Sequence, residues 1–425
     1  MKKRIIIIGL DGVPYGLLND LSNRGVMPNV KRLIDKGVFT KMFSSIPEIS
    51  SVAWSSVITG KNPAEHGIFG FTDFPPNTYR LSFPNFSQLK CPAFWETAKK
   101  EDRHIVMNVP STYPARQLNG VLISGFVALD FNRSVYPFEM VKPLEDMSYK
   151  IDVESEKAHE SFELFLKDLD KTLEARVRAL RYLWGQEWKV FMLVFTGTDR
   201  LMHFLWDAYQ DREHKHHNDF TDHFRKVDKA IGEIISKMGD EDVCVMLSDH
   251  GFEKLDYDVY INHLLKEKGF LKLALQAMIT YNSIDFGTKA FALDPARIYI
   301  NSEGKYPRGS VKKEERPGLL KELETLFSGL AVEGRKVIRH IFRKEEVFSG
   351  PYYEQAPDLV LIGDKGFNLK GTIQAKQLYS KGIFSGKHTY DDAFLLVSSK
   401  SYKESIPNQP KVSDIVGILK KINGG

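Results

Sequence analysis

Short, continuous runs of β-branched and aliphatic residues, separated by amphipathic stretches, constrain this chain more than any other feature of its sequence. They fall at residues 4–10, 104–109, 121–124, 190–196, 243–248, 359–362 and 393–397. A strand that reads as an unbroken apolar run is covered on both faces, which is the signature of a parallel sheet between two layers of helices. The fold class predicted is therefore α/β, with a mostly parallel sheet and helices on both of its faces. Helix signals support the alternation. Pro28 sits in a first helical turn that Gly37 stops, and Pro92 predicts a second helix over 93–100 in the same way. The segment 155–183 keeps Phe162, Phe165, Leu166, Leu169, Leu173, Val177 and Leu180 on one helical face.

At 425 residues the chain exceeds the roughly 250–300 residues at which single cores stop growing, so a second unit is expected. Residues 71–99, rich in Pro, Asn and aromatics, and residues 269–357, where Gly and Lys/Arg clusters interrupt the βα rhythm, read as inserted, substrate-covering segments forming a smaller cap region. Residues 1–70, 100–268 and 358–425 are left as the catalytic core.

Composition mainly excludes. Lys plus Arg, 59, nearly balances Asp plus Glu, 55, which leaves no field to favour nucleic acid or a membrane surface as partner. The start, Met1 to Leu10, resembles a leader because basic residues precede an apolar run. That run is too short and ends at Asp11, so it reads as a buried first strand. No stretch approaches the roughly 18 uninterrupted apolar residues of a membrane span. The two cysteines, Cys91 and Cys244, supply neither a disulfide framework nor a four-thiolate zinc site, and fit a reducing cytoplasm. Oligomeric state is left open.

Chemistry gathers where strands end. The run 5–10 leads into Asp11, 190–196 to Asp199, and 243–248 into Asp249 and His250. Ligands of open α/β sheets bind beyond the carboxyl ends of the strands, so these acids should converge. Converging carboxylates repel one another and lose solvation in a cleft, and a cation resolves both problems. Asp199 and His203, four apart, share a helix face. Asp249 and His250, adjacent on a turn, can face two neighbouring sites. Carboxylate and imidazole together suit Zn²⁺, with Mn²⁺ the alternative where oxygen ligands dominate. Two such ions about 3.5–4 Å apart stabilise the entering and leaving oxygens of a phosphoryl displacement.

The nucleophile is sought in the segment 46–60, a loop feeding a short helix that Gly60 stops. Ser50 and Ser51 fall at that helix N-terminus, where free N–H groups favour anions. A serine there, beside a cation, can lose its proton near neutral pH. Each signal has an ordinary counterpart, since such aspartates and serines also cap helices and form turns; their joint occurrence carries the inference. His214, His216 and His217 read instead as a solvated helix face. His66, close behind the nucleophile segment, is a candidate ligand but reads rather as a residue fixing its own loop.

Taken together, Ile8-Gly-Leu-Asp11-Gly12, Ser50 ahead of Trp54, Thr59-Gly-Lys-Asn-Pro-Ala-Glu-His-Gly67, Thr198-Asp199-Arg-Leu-Met-His203, Ser248-Asp249-His250-Gly251 and Gly386-Lys-His388 form an ordered set. This set resembles the type I phosphodiesterase/nucleotide pyrophosphatase family of the alkaline phosphatase superfamily, from the first strand to about Val397. The resemblance implies an alkaline-phosphatase-like core and metal-dependent hydrolysis of a small-molecule phosphate ester or nucleotide through a phosphoserine. It implies that Asp199, His203 and His388 hold one zinc while Asp11, Ser50, Asp249 and His250 surround the other. The role of His388 rests mainly on this resemblance. The same scaffold admits phosphomonoesterase, phosphonate hydrolase, sulfatase-like and phosphomutase chemistry, and a metal-binding protein without catalysis is the alternative of another class. One departure concerns the substrate. Nucleotide pyrophosphatases typically carry an asparagine shortly after the His-Gly pair, and Phe71 stands at that position here.

Overall fold

A computed structural model describes residues 3–424, so the first two residues of the leader-like stretch lie outside the described residues. The chain divides into two compact units. One comprises Met1–Lys61, Asn85–Phe252 and Ile383–Gly425, and the other Asn62–Pro84 and Glu253–Gly382. These divisions are offset from those expected at 70, 99, 268 and 357.

The first unit is built on an eight-stranded sheet. In chain order its strands are β1 (Ile5–Leu10), β2 (Val38–Met42), β3 (His104–Val109), β4 (Gly120–Ser124), β5 (Val135–Tyr136), β6 (Val190–Phe195), β7 (Val243–Leu247) and a last strand, Ala393–Val397. Across the sheet, β2, Ala393–Val397, β7, β1, β6, β3, β4 and β5 follow one another. β1 runs parallel to both neighbours, with Ile5 opposite Val190 on one side and Val243 on the other. All of β1, β3, β6 and β7 is buried, which is why these strands read as unbroken apolar runs. The sheet is not wholly parallel, since Ala393–Val397 opposes β7 and β2, and β5 opposes β4. This is the mixed α/β architecture the sequence predicts.

Three local expectations are corrected. The run at 359–362 forms a strand, Leu359–Gly363, outside the large sheet; it lies antiparallel between Arg297–Ile300 and Ile338–Arg343 in a four-stranded sheet of the second unit. An apolar run reports burial on both faces and does not report which sheet supplies it. The helix predicted over 93–100 is reduced to the single turn Phe94–Glu96, with the Glu96 carboxylate accepting the Ala93 N–H at 2.8 Å. Beyond Thr97 the chain is mostly Lys, Glu and Asp and has no apolar face to bury. The long amphipathic segment breaks at Ser161, whose hydroxyl accepts the N–H groups of Glu163 and Leu164 and starts the helix Phe162–Trp184 afresh. Within it Phe165, Leu169, Leu173 and Leu180 are buried in the core of the first unit, as the stripe predicts.

The second unit has a core of its own, formed around Phe291, Ile298, Tyr299, Leu323 and Phe327. Cys244 is buried in β7 and Cys91 partly buried, and the two form no disulfide among the described residues. Among the described residues no helix is long and apolar enough to cross a membrane.

Candidate metal centre

Because β1, β6 and β7 are parallel neighbours, their carboxyl ends open on one edge of the sheet. Asp11 follows β1 directly. β6 passes through Thr196 into the helix Gly197–Gln210, which carries Asp199 and His203 on one face, and the turn after β7 presents Asp249 and His250. The Thr198 hydroxyl lies 2.7 Å from the Asp11 carbonyl and 3.0 Å from that of Phe195, tying the start of the helix to the ends of both strands. His388 arrives on the strand Gly386–Thr389, and Ser50 opens the helix Ser50–Thr59. All seven residues singled out in the sequence are thus brought together within the first unit.

They assemble as two adjoining groups, Asp199 with His203 and His388, and Asp11 with Asp249 and His250. In each group the ligand-type atoms lie within 4.8 Å of one another. His388 Nε2 is 3.2 Å from Asp199 Oδ1 and 3.0 Å from His203 Nε2. His250 Nε2 is 3.3 Å from Asp249 Oδ2, 3.8 Å from Asp11 Oδ1 and 4.0 Å from Asp199 Oδ1, so it adjoins both groups. The rings of His250 and His388 stack with centroids 3.7 Å apart.

The backbone decides which ring nitrogens face inward. Nδ1 of His203 lies 3.2 Å from the Gly386 carbonyl, Nδ1 of His388 3.0 Å from that of Glu48, and Nδ1 of His250 3.1 Å from that of Gly251. A carbonyl oxygen only accepts, so each Nδ1 carries the proton and donates it. Each ring held in this way turns Nε2 into the centre, the arrangement that prepares histidine for a metal. Burial lowers the pKa of His203 to about 3 and that of His250 well below the usual value, so both rings are neutral near pH 7.

The carboxylates follow a similar logic. Asp11 accepts the Trp54 indole N–H at 3.2 Å with Oδ2. Asp249 accepts the Gly12 N–H at 3.0 Å with Oδ1, while its buried Oδ2 makes no hydrogen bond among the described residues. Gly12 adopts φ +73°, and a Cβ there would crowd Phe252 at 3.0 Å, so the turn that aims this N–H requires glycine. Burial, and then the charges of Asp249 and Asp199, push Asp11 well above the usual carboxylate range. Burial and the charge of Asp199 push Asp249 to about 6. Burial also opposes the charge of Asp199, which the hydrogen bond from Arg200 Nη1 at 2.9 Å favours.

Inward lone pairs, an orphaned carboxylate oxygen and two destabilised carboxylates mark a centre short of positive charge. The donor set, imidazole nitrogen with carboxylate oxygen, fits two divalent cations. Ser50 Oγ lies between the halves of the second group, 3.1 Å from His250 Nε2 and 3.4 Å from Asp11 Oδ1. Both of those atoms accept, so the hydroxyl proton points at one of them. Ser51 Oγ is buried and makes no hydrogen bond among the described residues.

Sequence reasoning missed the residues that orient these groups. Trp54 stood in a motif without a role, although its place four after Ser50 puts both on one helix face, where both reach Asp11. The Glu48 carbonyl and the Gly12 amide carry no signal a sequence could show. His66 is buried in the second unit and its Nδ1 accepts the Ile68 N–H at 3.2 Å, the loop-fixing role predicted for it. The histidine cluster is not a uniformly solvated face: His216 is 4% exposed and paired to Asp219 at 2.9 Å, because Phe162 packs edge-on against its ring.

A model of the type I phosphodiesterase/nucleotide pyrophosphatase family matches residues 5–391. Among solved structures, the chain is similar to phosphonoacetate hydrolase from Sinorhizobium meliloti 1021 in complex with phosphonoacetate, with a TM-score of 0.67 and 15% identity over 100% of this chain and 96% of that one. It is also similar to an inactive form of murine ectonucleotide pyrophosphatase/phosphodiesterase 5 in complex with AMP, with a TM-score of 0.55 and 14% identity over 99% of this chain and 95% of that one. These likenesses establish the alkaline-phosphatase-like fold. No curated protein sequence matches the chain.

Proposed function

This chain belongs to the type I phosphodiesterase/nucleotide pyrophosphatase family, and on that footing we propose that it hydrolyses phosphate esters through a covalent phosphoserine at Ser50. Asp199, His203 and His388 hold one divalent cation, and Asp11, Asp249 and His250, with Ser50 Oγ, hold the other. Zinc is the ion this mixed nitrogen and oxygen set favours, with manganese the alternative. The observation that carries the reading is the convergence of three Nε2 atoms on Asp199 Oδ1, each ring fixed by an Nδ1–H bond to a backbone carbonyl.

When bound, the two cations supply the positive charge that lowers the serine pKa and neutralises the entering and leaving oxygens. The chain itself does the rest. Ser50 Oγ, placed beside His250 Nε2 and Asp11 Oδ1, gives up its proton to solvent and attacks phosphorus in line. A bond forms between Oγ and phosphorus while the bond from phosphorus to the ester oxygen breaks, and the departing alkoxide takes up a proton to leave as an alcohol. Attack by water then cleaves the phosphoserine, releases phosphate or its monoester, and returns a proton to Ser50. The first turn of Ser50–Thr59 has N–H groups without intrahelical partners, a favourable setting for a transferred anion.

Phe71 lacks the side-chain amide that nucleotide pyrophosphatases carry at this position of the sequence, so the motif does not single out a nucleotide as substrate. That Cys91 and Cys244 form no disulfide among the described residues is consistent with a reducing cytoplasm. Parallel assays of zinc-loaded and manganese-loaded protein with bis-(p-nitrophenyl) phosphate, p-nitrophenyl phosphate, phosphonoacetate, a nucleoside pyrophosphate and p-nitrophenyl sulfate test the reading. Turnover of a phosphate ester is expected. Hydrolysis of the sulfate alone, or of none, would contradict it.

A further inference from the structure

We propose that Arg200 is a positioning residue that fixes Asp199 for coordination through a single oxygen, and that Asp152 holds Arg200 in place to do so. The inference rests on the assignment of Asp199 as a metal ligand made above.

The two oxygens of Asp199 have separate surroundings. Oδ1 faces His388 and His203, while Oδ2 accepts a hydrogen bond from Arg200 Nη1 at 2.9 Å. The guanidinium is in turn gripped from its other edge. Nε and Nη2 both donate to Asp152 Oδ2, at 3.1 and 2.8 Å, and the plane of the group lies over the Phe126 ring with its carbon 4.3 Å from the centroid. Each of the three nitrogens already serves a carboxylate, and one face is covered by a ring. A guanidinium held in this way orients its partner better than it captures a phosphoryl group arriving from solution.

The grip extends to the sheet. The other oxygen of Asp152, Oδ1, accepts from Thr196 Oγ at 3.1 Å, and Thr196 stands immediately after β6. The same hydroxyl accepts from Arg176 Nη1 at 3.2 Å and Asn108 Nδ2 at 3.4 Å, which uses its full capacity of one donor and two acceptor positions. Arg176, Thr196 and Asn108 are all buried, and Arg176 is further held by the Ile151 carbonyl at 2.7 Å. Asp199 is therefore supported by a continuous path from β6 through Thr196, Asp152 and Arg200. Without it the carboxylate is free to rotate and offer both oxygens to one ion, and the guanidinium is free to swing toward the other acids. Groups that orient a metal ligand in this manner typically alter metal affinity by about 10–100-fold when removed.

The test uses the full chain and reads zinc binding apart from turnover. Asp152→Asn, Arg200→Lys and Arg200→Gln are titrated with zinc against a competing chelator, and folding is checked by circular dichroism. One of the two zinc ions is expected to bind about 10–100-fold more weakly while the other keeps its affinity, with Arg200→Lys, which keeps the charge, less affected than Arg200→Gln. Should Asp152→Asn fail to fold, the lysine and glutamine variants still decide. Unchanged affinity at both sites together with a raised KM would overturn the proposal and make Arg200 a substrate contact; equal weakening of both ions would overturn it too. If the wild-type protein hydrolyses no ester, the proposed activity fails while the zinc titration still decides the role of Arg200.

Discussion

His203 and His388 point their Nε2 atoms at each other across 3.0 Å, and each ring has already committed its Nδ1 proton to a backbone carbonyl. Two acceptors so placed repel unless a cation lies between or beside them. Metal binding is thus coupled to stability: a ligand of the folded state at about 100 times its dissociation constant contributes roughly 2.7 kcal/mol per site. Thermal unfolding after removal of divalent ions with dipicolinate is expected at lower temperature, and restoration of zinc is expected to reverse the loss. An unfolding temperature insensitive to chelator and to zinc would count against the coupling.

Asp249 offers one oxygen to the Gly12 amide and keeps the other without a hydrogen bond among the described residues. Asp249→Ala is expected to empty or weaken one site and leave the group around His388 occupied, which elemental analysis would read as one ion lost per chain. Full occupancy would remove Asp249 from the ligand set.

Ser50→Ala should keep the fold and both ions and lose turnover by at least about 10³-fold, as removal of a nucleophile does. The check is kcat with bis-(p-nitrophenyl) phosphate alongside metal content. Near-normal turnover would transfer the chemistry to Ser51 or to an attacking water.

Burial lowers His104 to about 4 and His66 and His223 to about 3. These are folded-state values below the unfolded value of about 6.5, so the unfolded chain binds protons first as pH falls. Their contribution is complete above pH 6.5 and is lost as pH drops toward 4, by about 1.4 kcal/mol per pH unit for each histidine. Neither nitrogen of His104 makes a hydrogen bond among the described residues, so His104→Phe removes one titration without orphaning a partner. Urea unfolding between pH 7 and 4.5 should show a shallower loss of stability in this variant. An unchanged slope would contradict the assignment.

Gly9 lies where β1 passes beneath Trp54, and a Cβ at that position would meet the indole ring and the Val194 side chain. Gly9→Ala displaces the indole that holds Asp11. A cost of about 1–3 kcal/mol is expected from overpacking, with altered tryptophan fluorescence and weaker zinc binding. Wild-type fluorescence and metal content in the variant would show that the ring is not needed where it stands.

The legible parts of this molecule are those whose physics is local. β1, β3, β6 and β7 announce themselves because burial on both faces leaves no polar position in the strand, and Asp199 and His203 because four residues make one helical turn. The convergence of Asp11, Asp199 and Asp249 follows from the parallel order of three strands, a property the sequence shares with many α/β chains. What stayed hidden depends on partners distant in the chain. Nothing near Asp152 indicates that it grips Arg200, and nothing near Glu48 indicates that its carbonyl sets the tautomer of His388. The strand at Leu359–Gly363 was legible as a strand, but its antiparallel partners at Arg297–Ile300 and Ile338–Arg343 were not, since apolar runs carry no record of direction. The helix predicted after Pro92 fails for the opposite reason: a start signal is present and a face to bury is not.

The most direct test of the central claim is anomalous diffraction from a zinc-saturated crystal at the zinc edge. Two peaks about 4 Å apart are expected, one against Asp199, His203 and His388 and the other against Asp11, Asp249, His250 and Ser50 Oγ. A single peak, or peaks bound elsewhere with these side chains left in contact only with one another, would contradict the account.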